Sequence, residues 1–342
     1  MVKDKLTIGM LFPFRNTHKL LTQLCDKHPV EFVYTPYLET NELRSSRGLN
    51  FGKNTKKISE PEIDGDFTEI WRTCDAVVGM DLPSNPQSLF PNLKWFQGVS
   101  AGYDHIDTAA LREMGVIQTN ARGISSPAIA EFVFARLLQV WKELRLLDSQ
   151  QAEMLWKVRF GSEAIGKTIG IVGLGSIGRA IATRARAFGM TTLAVRKTAT
   201  AGSQDEDVDV LYELKDLEEM IHQSDVVVMA APATEETKEM FDEKMFRIMR
   251  KGAIFCNVAR GMHVVEDALV RSLNSGHLAA AILDVTRVEP LPIDDPIWSA
   301  PNMYLSPHCS VSFDNYEKNA VELVIENAEL FLAGKSLTNV VS

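Results

Sequence analysis

Arg260, Glu289 and His308 are residues of types that can handle anions and protons, and each stands just after a short apolar run. An arginine offers a rigid fork of donors that suits a carboxylate and the carbonyl oxygen beside it. A histidine gives or takes a proton near neutral pH, and a carboxylate against its ring tunes it. Arg260 lies in Asn257-Val-Ala-Arg-Gly261, Glu289 in Leu283-Asp-Val-Thr-Arg-Val-Glu-Pro-Leu-Pro292, and His308 in Ser306-Pro-His-Cys-Ser310. Ligands of open α/β sheets sit beyond the carboxyl ends of the strands, so the three can converge on one crevice. Cation, proton donor and tuning group are what hydride transfer to a 2-oxo acid requires. Taken singly, each has a blander reading: a solvated charge, a turn residue before proline, a satisfied histidine.

A second group of residues suits a dinucleotide. Gly173-Leu174-Gly175-Ser176-Ile177-Gly178 is a GxGxxG loop that follows the apolar run 168–172 and opens the helical stretch 179–188. That context separates it from a chance glycine turn. The first glycine permits the tight turn, the second lets backbone approach the pyrophosphate, and the third permits close helix–strand packing. The following strand ends at Val195, where an NAD site places an acid for the ribose 2′-hydroxyl. This chain places Arg196-Lys197-Thr198 there, which suits a 2′-phosphate and predicts NADP(H) over NAD(H), with NAD(H) still admissible.

The elements that must position these residues are legible as alternating apolar runs and helical stretches. Strands are expected at 6–12, 30–34, 75–80, 93–97 and 116–119, with a helix at 18–28. A helix at 127–147 has Ser125 or Ser126 as its cap and Pro127 in its first turn. A second alternation follows, with strands at 168–172, 191–195, 226–230, 253–257, 280–284 and 303–305. Six strands with helices between them make a doubly wound dinucleotide-binding sheet. A last amphipathic helix covers 314–332. Between Thr40 and Asp66 the pattern fails in a basic, glycine-containing insertion, expected to be a loop; it could bring Arg44, Arg47 or Lys53 to a second anionic group on a substrate.

Composition narrows the class. At about 150 residues per domain, 342 residues imply roughly two domains. Apolar residues make up 45% and charged residues 24%, which excludes an intrinsically disordered chain. Thirty-six basic against forty-five acidic residues give a net charge of −9, which argues against a general nucleic-acid binder. The four cysteines, Cys25, Cys74, Cys256 and Cys309, lie far apart without metal-ligand spacing, so no metal site is expected. No stretch reaches the roughly 18 apolar residues of a membrane span. The N-terminus reads as a strand rather than a signal peptide, so a cytoplasmic location is the default.

Several of these segments occur together, and in order, in one known family. Leu93-Lys-Trp-Phe-Gln-Gly-Val-Ser-Ala-Gly-Tyr-Asp-His-Ile-Asp107, the glycine loop, Ser224-Asp-Val-Val-Val228 and the Asn-Val-Ala-Arg-Gly, Glu-Pro-Leu-Pro and Pro-His segments resemble the D-isomer-specific 2-hydroxyacid dehydrogenases, over roughly residues 70–342. The resemblance implies a catalytic set of Arg260, Glu289 and His308, with Arg260 on the substrate carboxylate and carbonyl, His308 as proton donor and Glu289 tuning it. It implies that backbone amides of Ala101, Gly102 and Tyr103 grip the substrate, and that Ala231, Pro232, Val258 and Ala259 line the cofactor site with Asp284 at the nicotinamide carboxamide. His105, the rival histidine, lies next to Asp104 and close to Asp107 and is read as structural.

The fold implied is α/β with two doubly wound parallel-sheet domains, a Rossmann-type cofactor domain inserted in a flavodoxin-like substrate domain. The boundaries expected are 1–122 with 312–342 for the substrate domain and 123–311 for the cofactor domain. A homodimer through the cofactor domains, with 148–166 as an arm, belongs to the same pattern. The chain departs from it at Thr286-Arg287-Val288, Met262-His263 and Cys309-Ser310-Val311, which blurs substrate identity. The function expected is NADPH-dependent reduction of a 2-oxo acid to a D-2-hydroxy acid; the alternatives are a phosphoglycerate-dehydrogenase-like enzyme and a nucleotide-sensing corepressor or binding module on the same scaffold.

Overall fold

The computed structural model describes residues 5–15, 18–47, 58–313 and 315–341. In chain order the first elements are β1 (Leu6–Met10), α1 (His18–Lys27), β2 (Val30–Tyr34), α2 (Asn41–Arg47), α3 (Gly65–Trp71), β3 (Ala76–Gly79), α4 (Pro86–Leu89), β4 (Trp95–Gly98), α5 (Thr108–Glu113) and β5 (Ile117–Thr119). There follow α6 (Ser126–Trp141), α7 (Leu144–Ala152), β6 (Thr168–Val172), α8 (Ser176–Ala187), β7 (Thr191–Val195), β8 (Val210–Tyr212), α9 (Leu217–Gln223) and β9 (Val226–Met229). The chain ends with α10 (Glu243–Ile248), β10 (Ile254–Asn257), α11 (Glu266–Asn274), β11 (Ala280–Leu283), β12 (Met303–Leu305) and α12 (Tyr316–Leu332). It divides into two compact units, Met1–Ser125 with Ser312–Ser342, and Ser126–Val311.

The first unit is a five-stranded parallel sheet in the order β2-β1-β3-β4-β5, the flavodoxin-like order. Its strands are apolar on both faces because both faces are covered. Ile8, Met10, Ala76, Val78 and Trp95 meet Leu21 and Leu24 of α1 and Val321, Val324 and Ala328 of α12. Val77 and Phe96 point the other way, towards Trp71, Phe90 and Leu111. The returning helix α12 is tied in through Asn327, whose amide donates to Gln97 Oε1 at 2.8 Å and whose oxygen accepts from the Thr338 amide at 2.7 Å.

The second unit is a seven-stranded parallel sheet in the order β12-β11-β10-β9-β6-β7-β8. Alternate residues face opposite layers. Val226 and Val228 of β9 join Val133, Phe134 and Leu137 of α6 and Ile181 and Ala185 of α8. Val227 and Met229 join Met220 and Ile221 of α9, Phe246 of α10 and Leu269 of α11. Phe134 stacks on Phe188 with ring centroids 5.1 Å apart. The order of successive strands reverses between β6 and β9, with β7 and β8 laid down on one side and β10, β11 and β12 on the other, so the carboxyl ends of β6 and β9 form the switch point where such sheets bind ligands.

Several expectations need correction. The sheet has a seventh strand, β8, at an edge, where its half-exposed residues carry no clean alternation. The single helix expected over 127–147 is two, because Glu143 takes a left-handed conformation with φ of 54° and breaks the run between α6 and α7. Helix α8 begins at Ser176, inside the glycine loop, rather than at residue 179. The insertion after Thr40 is not all loop: 41–47 form α2, and 48–57, with Lys53, lie outside the described residues. Among the described residues no helix is long and apolar enough to cross a membrane.

Candidate active site

The glycine loop stands at the switch point, running from the end of β6 into the first turn of α8. Gly173 has φ of 103°, and a Cβ there would come within 2.6 Å of Ala231 Cα, so the turn demands glycine. A Cβ on Gly178 would meet the Gly173 carbonyl oxygen at 2.3 Å, which fixes how closely α8 approaches its strand. At Gly175 a Cβ would meet nothing within 4 Å, so the backbone faces open space. No side chain caps α8, and its first-turn amides supply donors and the positive end of the helix dipole for an anion. The loop therefore fits a dinucleotide pyrophosphate on its own geometry.

At the end of β7 the picture is less simple than Arg196-Lys197-Thr198 suggested. Thr198 is exposed, in a turn closed by the Ala199 amide on the Arg196 carbonyl at 3.0 Å. Arg196 Nη1 lies 3.2 Å from Asp205 Oδ2, and Lys197 pairs with Glu236. Asp205 also takes both guanidinium amino groups of Arg179, at 2.8 and 2.7 Å. That contact holds its carboxyl below the usual range.

The three candidate catalytic residues follow β10, β11 and β12, which are consecutive neighbours along one side of the sheet. His308 Nδ1 stands 2.8 Å from Glu289 Oε2, and the other oxygen of Glu289 accepts from the Thr286 amide at 3.1 Å. His308 itself has φ of 51°, and its amide bonds the Asp284 carbonyl at 2.7 Å. The Asp284 carboxylate, 1% exposed as a residue, accepts from Ser306 Oγ, the Cys309 amide and the Ser310 amide. The loop carrying His308 is thus pinned on both flanks of the ring.

The Arg260 turn is built by Asn257, whose side chain accepts from the Ala259 amide at 3.0 Å and donates to the Arg260 carbonyl at 2.8 Å. Val258 is held by its amide on the Met229 carbonyl at 3.3 Å. The next residue, Gly261, seats the turn directly on the Glu289 loop: a Cβ there would stand 2.0 Å from the Thr286 carbonyl carbon. Arg260 and Glu289 are therefore registered to each other through backbone. Ala231 and Pro232 follow β9, and the Pro232 carbonyl accepts from Thr237 Oγ1 at 2.9 Å.

Sequence reasoning passed over several residues that do this holding. Asn257, Gly261, Glu266, and the second role of Asp284 emerge only from the contacts. Glu266 accepts from the Arg287 amide at 2.6 Å, and burial pushes its carboxyl up to about 7. His263 is fully buried, with Nδ1 2.9 Å from the Thr237 carbonyl, and burial lowers its pKa. An asparagine and a glycine flanking Arg260 are residue types that favour turns, and this is the signal by which the sequence could have disclosed two of them.

In the first unit, Ala101, Gly102 and Tyr103 follow β4. The Gly102 carbonyl accepts from Ser100 Oγ at 2.6 Å and the Ala101 carbonyl from Asn120 Nδ2 at 2.8 Å, which fixes the loop by its carbonyl side. His105 bonds the Met80 carbonyl at 2.8 Å through Nε2, with Asp81 Oδ1 at 3.5 Å. Arg44 and Arg47, which the sequence offered to a second anionic group on a substrate, are both engaged by acids of this unit. Arg44 makes two bonds to the buried Asp81, at 2.6 and 2.7 Å, and Arg47 is divided between Glu39 at 3.0 Å and Glu60 at 2.6 Å. Their charge is consumed inside the unit.

Comparison with known proteins places this arrangement. Residues 134–310 match the family model described as D-isomer specific 2-hydroxyacid dehydrogenase, NAD binding domain. A glyoxylate reductase from Korarchaeum cryptofilum is 33% identical over 283 residues, which are 79% of this chain and 83% of the relative. Among solved structures, a D-isomer specific 2-hydroxyacid dehydrogenase family protein from Aeromonas salmonicida superposes with a TM-score of 0.81 at 27% identity, over 99% of both chains. A D-isomer specific 2-hydroxyacid dehydrogenase from Xanthobacter autotrophicus, solved in complex with NADPH and MES, gives 0.76 at 25% identity over 99% of this chain and 98% of its own. With a nicotinamide-type nucleotide loop and a sheet-end arginine, acid and histidine in register, the chain belongs to the D-isomer-specific 2-hydroxyacid dehydrogenase family and is an NAD(P)-dependent oxidoreductase acting on CH–OH groups.

Proposed function

We propose that the chain reduces a small 2-oxo acid, such as glyoxylate, hydroxypyruvate or a bulkier relative, to its D-2-hydroxy acid, with NADP(H) preferred over NAD(H). The observation that carries the reading is the 2.8 Å contact between His308 Nδ1 and Glu289 Oε2, on a loop adjoining the Arg260 turn. A carboxylate on Nδ1 selects the tautomer with its proton there and leaves Nε2 as the atom that exchanges a proton with substrate. A nicotinamide bound along the glycine loop supplies the hydride. Arg260 then binds the substrate carboxylate and polarises the C2 carbonyl, because its fork suits adjacent oxygens. His308 delivers the proton that the new alkoxide needs, and takes it back in oxidation.

Under this reading the substrate domain is the first unit and the cofactor domain the second, with the amides of Ala101–Tyr103 acting on the substrate carboxylate. Gly173–Gly178, Arg196–Thr198, Ala231, Pro232, Val258, Ala259 and Asp284 serve the cofactor. The chain assembles as a homodimer through the 148–166 segment, where Trp156 is 98% and Phe160 90% exposed. Oxidation of NADPH and of NADH is followed with a panel of 2-oxo acids. Turnover that is faster with NADPH supports the proposal. Tight cofactor binding without turnover of any acid supports the sensing module instead, and oxidation of 3-phosphoglycerate alone supports the phosphoglycerate-type enzyme.

A further inference from the structure

An acid at the end of the second strand of a dinucleotide fold reads the ribose 2′-hydroxyl, and a cation there reads a 2′-phosphate. By sequence this chain has only the cation, since Arg196 occupies that place. In three dimensions it has both. The segment between β7 and β8 returns to the Arg196 turn and inserts Asp205, whose side chain is 9% exposed, against two guanidinium groups. Arg179, from the first turn of α8, gives it two bonds at 2.8 and 2.7 Å, and Arg196 a third at 3.2 Å. Asp207 adds a second carboxylate on Arg179 and donates its amide to Asp205 Oδ1 at 3.2 Å.

Charge and geometry say what this arrangement is. Two guanidinium forks converging on one point make an anion site, and a carboxylate of the protein fills it. Arg179, Arg196 and Lys197 are matched one for one by Asp205, Asp207 and Glu236, so the site has no surplus positive charge. Arg196 Nε is nevertheless buried without a hydrogen-bond partner among the described residues, so the fork is not fully used by Asp205. A group with more oxygens than a carboxylate can engage the pair better.

We propose that Asp205 sets the choice between the two cofactors: its carboxylate stands in the anion position between Arg179 and Arg196, accepts the 2′-hydroxyl of NAD(H), and gives way to the 2′-phosphate of NADP(H). This rests on the reading that the Arg196 turn receives the adenosine ribose. It turns a simple preference for NADP(H) into a competition, in which breaking the bonds to Asp205 subtracts from what the phosphate gains. Neutralising Asp205 removes the competitor and the acceptor together.

The test is calorimetric titration of the whole protein with 2′,5′-ADP and with 5′-AMP, for wild type, Asp205→Asn and the double variant Asp205→Asn with Arg196→Ala. Asp205→Asn is expected to shift the ratio of the two affinities towards 2′,5′-ADP by about tenfold, the order of one charge-assisted hydrogen bond. The double variant is expected to lose that shift. Should Asp205→Asn unfold, shown by a collapsed melting transition, Asp205→Ser is titrated in its place. A ratio within about twofold of wild type, or one moving towards 5′-AMP, overturns the proposal. Failure of the underlying reading shows separately, as wild type that binds neither nucleotide. A wild type that prefers NADH in kcat/KM removes the NADP(H) preference yet leaves Asp205 in place if the variant still shifts the ratio.

Discussion

At the scale of single residues, the two histidines of the signature segments are separated by what touches them. His308 has a carboxylate on Nδ1 and sits in a strained left-handed conformation, which persists where the surroundings over-determine it. His105 has a backbone carbonyl on Nε2, the partner of a histidine that holds a turn. His308→Asn is therefore expected to lower kcat by roughly two to four orders of magnitude. His105→Asn, which keeps a donor for the Met80 carbonyl, is expected to leave kcat within about tenfold. Steady-state rates on the substrate found in the panel decide this, and the reverse order of effects would reassign the proton donor.

Among elements, the long helix that the sequence promised turns out to be α6 and α7 with a break between them. Past α7 the chain runs through a segment, 153–165, whose large apolar residues have little cover: Met154 is 93%, Trp156 98% and Phe160 90% exposed. A single exposed leucine needs no explanation, but a run of this kind is what the proposed dimer arm would bury. Trp156→Glu is expected to halve the mass seen by light scattering, from a dimer towards the 38.1 kDa of one chain, at micromolar concentration. A wild-type protein that is already monomeric, or a variant that stays dimeric with unchanged dissociation, would remove the arm from the interface.

For the molecule as a whole, stability carries the imprint of a buried charge cluster in the first unit. Glu39, with a fully buried side chain, accepts from Tyr37 Oη at 2.8 Å and faces Arg47, while its second oxygen has no partner among the described residues. Burial pushes its carboxyl from the ordinary 4.5 up to about 7, against the opposing pull of Tyr37 and Arg47. Between those two values the folded chain keeps a proton that the unfolded chain has released. The unfolded state then binds fewer protons, so this group makes stability fall as pH rises through that window, and its cost is complete above about 7. Glu39→Gln, which keeps the size and the acceptor for Tyr37, is expected to melt about 2–4 °C above wild type at pH 8. That advantage is expected to vanish towards pH 5; melting curves whose difference does not change with pH would refute it.

The sequence by itself determined the order of βα units, the dinucleotide loop, and the presence of an arginine, an acid and a histidine at three strand ends. Those are local facts: apolar runs bounded by turns, glycines at fixed offsets, residues placed just past a run. Only the tertiary structure decided which strand ends are neighbours, and so that Glu289 reaches His308 and that Gly261 seats the Arg260 turn against Thr286. It decided that Arg44 and Arg47 are spent on Asp81, Glu39 and Glu60, and that Asp205 stands beside Arg196 although the strand end itself bears no acid. The half-exposed β8 and the turn at Glu143 escaped for a related reason, since neither leaves a periodic mark. The physical reason is that charge acts through distance in space. A cation read from the sequence is a binding group only until the fold supplies, or withholds, the acid that neutralises it.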